Sequence, residues 1–256
     1  MRCFTYIFVQ LRRKFAPSHN EEVGMKTIGM LGGMSWESTA SYYKALNEGV
    51  KAKLGGLHSA KIALYSVDFA EIEKLQHKGE WQQTAAILSS AAKSVEATGA
   101  DFLLICTNTM HKVADDIQAS INIPILHIAD ATASQLVADG IKKVGLLGTA
   151  FTMEQDFYKS RLQDKYAINV IVPKEADRKV VHSIIYDELC RGVISPASRE
   201  QYLAIIAALA EQGAEAVILG CTEIALLVQQ QDTHVPLYDT TELHAAKAVD
   251  LALMDR

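Results

Sequence analysis

Apolar residues along this chain fall into short continuous runs, separated by longer stretches in which they recur every third or fourth position. The runs at 27–31, 61–67, 102–106 and 123–128 are bounded by turns or polar segments, as strands buried on both faces should be. Between them, 38–53, 80–98 and 110–119 carry apolar residues at helical spacing. The second half repeats the alternation, with strands predicted at 143–147, 168–172, 215–219 and 235–238 and helices near 153–165, 177–191, 198–212 and 222–230. Helices at 129–139 and 241–254 close the two halves. Strand–helix alternation predicts an α/β protein built on open parallel sheets with right-handed crossovers.

The halves are related in sequence. Lys26-Thr-Ile-Gly-Met-Leu-Gly32 reappears as Lys142-Lys-Val-Gly-Leu-Leu-Gly148 at an offset of 116, at which Tyr42 and Leu46 also fall on Tyr158 and Leu162. Gly99 to Cys106 matches Gly213 to Gly220 at offset 114, and Ile123-Pro124-Ile125 matches Val235-Pro236-Leu237 at offset 112. Three ordered matches with slowly drifting offsets indicate duplication with loop trimming. The expectation is two pseudo-symmetric domains, 25–140 and 141–256, with a ligand-binding cleft at the carboxyl ends of their strands. The pattern leaves open where the two closing helices pack, including whether the terminal one returns to the first domain.

Residues 1–24 read differently. Phe4 to Leu11 is a short apolar run followed, not preceded, by Arg12, Arg13 and Lys14, the wrong order for a secretory signal. This segment is expected to be an N-terminal extension, with the domain pattern starting at Met25.

Composition narrows the class. Of the 256 residues, 49% are hydrophobic and 21% charged, with 5 Pro and 15 Gly, which excludes a disordered chain. A net charge of −5 gives no basic footprint, so neither nucleic acid nor an anionic membrane is an expected partner. No apolar run is long enough for a bilayer span. Cys3, Cys106, Cys190 and Cys221 are irregularly spaced, which indicates neither a disulfide framework nor a zinc ribbon; a reducing cytoplasm is the default.

The chemistry should lie where both copies end a strand at the cleft. Ala216 to Gly220 delivers Cys221, and Thr222-Glu223-Ile224 opens a predicted helix whose amide end would favour the thiolate, although the Glu223 carboxylate would oppose it. The 99/213 alignment sets Thr107, not Cys106, opposite Cys221, with Asn108 opposite Thr222 and Thr109 opposite Glu223. Cys106 is expected on the far side of the pleat, in the core. Two polar groups facing one another from duplicated domains suit a reaction that treats the two faces of one carbon alike, such as inversion at an amino-acid α-carbon.

At these residues the chain resembles the aspartate/glutamate racemase family, the pyridoxal-independent amino-acid racemases. Ile105-Cys-Thr-Asn-Thr-Met-His111 is similar to the family's first signature and Leu219-Gly-Cys-Thr-Glu-Ile224 to its second. Trp36-Glu-Ser-Thr39 and the stretch from Thr149 to Phe157 resemble the broad-specificity or L-aspartate/glutamate-specific branch. The resemblance implies catalytic groups at Thr107 and Cys221, with the second cysteine serving the L face. It also implies substrate contacts from Met34, Gln76, Asn108, Thr109, Glu188 and Thr222, no cofactor, an amino-acid substrate and a homodimer. The family's first cysteine is replaced by Thr107, and its frequent histidine after the second signature by Glu223. Glu188 falls where aspartate-specific members place a basic side chain, which argues against aspartate specificity.

Other readings are weaker. Gly29-Met-Leu-Gly-Gly33 lacks the spacing of a dinucleotide fingerprint or a P-loop. The histidines are scattered, so no metal is expected. His127 and Asp239 coincide in the repeat, and Asp68 ends a strand; structural roles are expected for them. His77-Lys78-Gly79 is read as a mobile loop at the cleft mouth. Competing functions are a hydantoin racemase or a decarboxylase using one cysteine, and a two-domain binding protein without turnover.

Overall fold

The computed structural model describes residues 24–254. Apart from Gly24, the expected extension over 1–24 therefore lies outside the described residues, and so does Cys3. The first sheet has three parallel strands, β1 (Ile28–Gly32), β2 (Ile62–Ser66) and β3 (Phe102–Ile105), in the order β2-β1-β3. The second has four, β4 (Lys143–Gly148), β5 (Asn169–Ile171), β6 (Ala216–Gly220) and β7 (Leu237–Asp239), in the order β5-β4-β6-β7 and also parallel. Equivalent strands of the two copies occupy equivalent places, so the duplication read from sequence is a duplication of topology.

The strand expected at 123–128 is only a bridge between Leu103 and Ile125. Its polar backbone groups are partly satisfied by a side chain: Gln118 accepts from Ile125 N at 2.8 Å and donates to Ile123 O at 3.0 Å. Gln230 does the same in the second copy, accepting from Leu237 N at 2.9 Å and donating to Val235 O at 3.2 Å. A matching glutamine thus braces the chain before each fourth strand position.

The helices are α1 (Trp36–Leu54), α2 (Phe69–Lys78), α3 (Trp81–Glu96), α4 (Ala114–Gln118), α5 (Ile128–Ala138), α6 (Ala150–Glu154), α7 (Asp156–Tyr166), α8 (Glu175–Ser183), α9 (Pro196–Glu211), α10 (Ile224–Leu227) and α11 (Thr240–Leu253). Helix α2 occupies a segment for which the apolar spacing predicts none. Asp68 caps its start, accepting from Ala70 N at 3.1 Å, and Gly79 ends it in the left-handed region. His77 and Lys78 are therefore its last turn rather than a loop. The helix expected over 222–230 shrinks to the single turn of α10.

The closing helices exchange partners. Ile128, Ala129, Ala133 and Leu136 of α5 pack with Val144, Leu146, Ala216 and Ile218 of the second sheet. Ala245, Ala248, Val249 and Ala252 of α11 pack with Ile28, Met30, Phe102 and Leu104 of the first, beside Tyr42 and Leu46 of α1. Lys26 N donates to Ala252 O at 3.0 Å. By packing, α5 lies with the second sheet and α11 with the first. Small residues on both helices let them lie close to the sheets, and the chain crosses between the halves twice, entering the second before α5 and returning to the first at α11.

Candidate active site

Strands β3 and β6 each lie beside the leading strand of their sheet, and both run out into one narrow cavity of about 50 Å³. Beyond β3 the chain turns into a short 3₁₀ helix, Thr109–Val113, which brings Thr107, Asn108, Thr109 and Met110 to the cavity. Beyond β6 the equivalent turn brings Gly220, Cys221, Thr222 and Glu223. Cys106 is absent from the lining. It lies in the core between the first sheet, α1 and α11, and burial pushes its thiol well above the usual range.

The electrostatic centre is Glu223, which the sequence marks only as a departure from the family and a neighbour of the thiol. Its carboxylate is 8% exposed and accepts three side-chain hydrogen bonds. Ser35 Oγ donates to Oε1 at 3.2 Å, while Cys221 Sγ at 2.9 Å and Thr222 Oγ1 at 2.7 Å both donate to Oε2. Burial, and then the Glu223 carboxylate, hold the Cys221 thiol well above its ordinary pKa. The expected preference for thiolate is therefore overturned. Helix α10 has only four residues and little dipole to offer, whereas a full negative charge lies within hydrogen-bond distance.

Thr107 lines the same cavity, and its hydroxyl hydrogen-bonds to none of the described residues. Its backbone is fixed by His111, whose Nδ1–H donates to Thr107 O at 2.8 Å while Nε2 accepts from Ile128 N at 3.1 Å. Both ring nitrogens are used, so this buried histidine is neutral, and burial lowers its pKa well below the ordinary value.

Asn108 is fixed by a chain of donors. Thr240 spends its one hydroxyl proton on Leu219 O at 3.0 Å, so it can only accept from Asn108 Nδ2, also at 3.0 Å. Asn108 Oδ1 is left buried with no partner. An unpaired acceptor in the wall of a cavity is suited to an ammonium group. Thr109 Oγ1 meets Thr149 Oγ1 at 3.2 Å, and Gln76 Nε2 donates to Tyr186 OH at 3.3 Å. With Ser35–Glu223, these contacts tie the two halves together around the cavity.

Met34, Gln76, Thr107, Asn108, Thr109, Cys221 and Thr222 all line this one cavity. Glu188 does not, and its Oε2 accepts from Ser198 Oγ of α9 at 2.6 Å. The reason is a register change. After α8 the chain makes a π-helical turn, Ile184–Glu188, and then a 3₁₀ turn, Leu189–Arg191. A wider turn brings residues four and five apart onto one face, so Ile185, Tyr186 and Cys190 line the cavity and Glu188 rotates away. Ser35, Phe69, Met110, Thr149, Ile185, Tyr186, Cys190 and Glu223 are lining residues outside the expected set. Ser35 is legible as the cap of α1; Tyr186 and Cys190 carry no signal under α-helical spacing.

The other candidates have structural work. His127 accepts from Ala129 N at 3.1 Å as the cap of α5, and its repeat partner Asp239 accepts from Thr241 N at 2.8 Å as the cap of α11. The glycines after β1 serve close packing: a Cβ on Gly33 would lie 2.2 Å from Val67 O, and its φ is +91°. Among the described residues no cluster of His, Cys, Asp or Glu is placed to hold a metal, and no helix is long and apolar enough to cross a membrane.

Comparison with known proteins agrees with this architecture. The chain is 58% identical to a Yersinia pestis protein named for the Asp/Glu racemases, whose crystal structure superposes with a TM-score of 0.85 over 90% of this chain and 100% of that one. An aspartate racemase homologue from Pyrococcus horikoshii is 37% identical, with a TM-score of 0.79 over 89% and 99% of the two chains. The broad-specificity amino-acid racemase RacX of Bacillus subtilis is 23% identical over 238 residues, 88% of this chain and 98% of that protein. The family model for Asp/Glu/Hydantoin racemases matches residues 31–248, and the chain belongs to that family.

Proposed function

We propose that this amino-acid racemase works with Cys221 on one face of the substrate α-carbon and Thr107 on the other. The observation that carries the assignment is that these two repeat-related residues, from duplicated strand ends, line the same cavity. In this reading Asn108 Oδ1, buried without a partner, accepts from the α-ammonium, and Thr109 and Thr222 hold the α-carboxylate. The resting thiol is protonated. Glu223 is the group to take that proton, after which the thiolate can remove the α-proton. Return of a proton from the Cys221 side regenerates the starting enantiomer, and delivery from the Thr107 side gives the mirror image. Thr107 does not ionise near neutrality, so it acts by positioning or relaying through water. In this arrangement the cavity is only a few waters in size, and admission of an amino acid requires the halves to part at the Ser35–Glu223 and Gln76–Tyr186 contacts.

A homodimer, which rests on family likeness, and a cytoplasmic location, which rests on the irregular cysteine spacing, belong to the same reading. Light scattering of the purified chain tests the first. The catalytic assignment is tested by incubating candidate amino acids in deuterated buffer and following label at the α-carbon by mass spectrometry. Exchange should occur with the wild type and disappear in Cys221→Ala. Failure of every common amino acid to exchange would overturn the reading.

A further inference from the structure

We propose that the side-chain end of this cavity takes an uncharged amino acid and disfavours a second carboxylate, with Gln76 and Tyr186 as the residues that read the side chain. The inference rests on the racemase reading and adds the substrate class. No Lys, Arg or His is among the described residues that line the cavity, and its one formal charge is the buried Glu223 carboxylate. An amino acid brings a balanced ammonium and carboxylate. Aspartate or glutamate adds a further negative charge to a site that already holds one.

Cations on the neighbouring segments are either committed elsewhere or exposed to solvent. Lys112 sits 4.2 Å above the Trp81 ring and donates to Gln155 Oε1 at 2.6 Å. Arg178 binds Glu154 at 3.0 Å, and His77 pairs with Glu73 at 3.0 Å. Lys78 and Arg191 are exposed to solvent. A buried carboxylate with no cation to pair with is costly, whereas its amide isostere has the same shape and no net charge.

The wall that remains is polar but neutral. Gln76, 2% exposed, comes from α2 in the first half and meets Tyr186, on the π turn of the second, at 3.3 Å. Between them they present donors and acceptors, with Phe69 and Ile185 as apolar flanks. An amide or hydroxyl can exchange hydrogen bonds with such a pair; a carboxylate can only accept, and leaves acceptor oxygens facing its charge.

The test compares isosteres. Initial rates of α-deuterium exchange are measured for L-glutamine against L-glutamate and L-asparagine against L-aspartate, together with L-serine and L-methionine, at one pH and ionic strength. We expect the uncharged substrates to exceed the acids in kcat/KM by about tenfold or more. Acids that match or exceed their amides in both pairs would overturn the proposal while leaving the racemase reading intact. Exchange of no amino acid would overturn the racemase reading instead, and this proposal with it. Gln76→Lys should move the acid-to-amide ratio toward the acid by about tenfold or more, since it puts a cation beside the side chain. A folded variant with an unchanged ratio would overturn the role of Gln76. Should that variant not fold, the same ratio in Tyr186→Phe, which removes one hydrogen-bonding group and no charge, decides: the amide should lose more than the acid, and an equal loss would overturn the pair as the reader.

Discussion

Cys221 Sγ donates a hydrogen bond to Glu223 Oε2 at 2.9 Å, and the acceptor is a carboxylate two residues along the same turn. One group thus both holds the thiol proton and raises the cost of losing it. Glu223→Gln keeps the shape and removes the charge, so the thiol pKa should fall. Iodoacetamide alkylation of Cys221 should then begin at lower pH than in the wild type. Substrate α-proton exchange should drop by about 10²-fold or more, because the base that accepts the thiol proton is gone. More reactive sulfur with less exchange is the expected signature; unchanged exchange would remove Glu223 from the mechanism.

Thr107 predicts unequal handling of the two enantiomers. The thiol side has a dissociable proton and a carboxylate to receive it, and the threonine side has neither. The L-enantiomer, which the resemblance assigns to the Cys221 face, should exchange faster than the D-enantiomer of the same amino acid. Thr107→Cys should raise exchange of the D-enantiomer more than that of the L-enantiomer. Deuterium incorporation from each pure enantiomer measures both, and equal wild-type rates would contradict this account of Thr107.

The buried histidines predict acid lability. Burial lowers His244 to about 4 and His127 to about 2, so the folded protein refuses protons that the unfolded chain takes up below about pH 6.5. Stability from these groups is present above that pH and is lost progressively as pH falls toward the folded values. Between pH 7 and 5 each contributes a loss of order 2 kcal/mol, at about 1.4 kcal/mol per pKa unit. Asp239, which burial raises to about 6, acts in the opposite sense and offsets of order 1 kcal/mol over the same interval. The urea midpoint should therefore be lower at pH 5 than at pH 7. His244→Asn should reduce that difference while lowering stability at pH 7, since Tyr42 OH loses its acceptor and Leu126 O its donor.

Gly33 predicts a backbone effect in the turn after β1. Alanine there would need a left-handed φ of +91° and would place its Cβ 2.2 Å from Val67 O and 2.6 Å from Val67 N. No side-chain rotation relieves a clash with backbone. Gly33→Ala should cost about 2 kcal/mol or more in urea unfolding, whereas Gly55→Ala, also at positive φ but with open space around its Cβ, should cost less.

Much of this architecture is legible in the residues because it depends on local pattern. Alternating apolar runs and helical spacing determine strands and helices whose burial faces are fixed by periods of two and 3.6. The repeat between Gly99–Cys106 and Gly213–Gly220 determines that Thr107 and Cys221 are equivalents, and the cavity has both in its wall. Capping residues such as Asp68 and Ser35 are also present in the string, yet the apolar pattern does not reveal α2. Its apolar positions, Phe69, Ile72 and Leu75, are too few to stand out from the loop around them.

Three features were decided only in the folded molecule. Helices α5 and α11 carry small residues along their buried faces, and nothing in such a face names the sheet that receives it. Their exchange between halves follows from shape and from the backbone bond of Lys26 to Ala252. The π turn at Ile184–Glu188 is flanked by hydrogen bonds from helix α9, which no local pattern announces. Tyr202 OH donates to Val181 O at 3.0 Å on one side, and Ser198 Oγ to Glu188 Oε2 at 2.6 Å on the other. One widened turn then moved Glu188 off the cavity and brought Tyr186 and Cys190 onto it. The thiol's protonation is the third. A helix start after Cys221 reads as favouring the thiolate, but fold-dependent burial and the Glu223 carboxylate outweigh a single helical turn. Local sequence fixes which groups are present at the site; their distances and their shielding from water, which set the energies, exist only once distant segments have met.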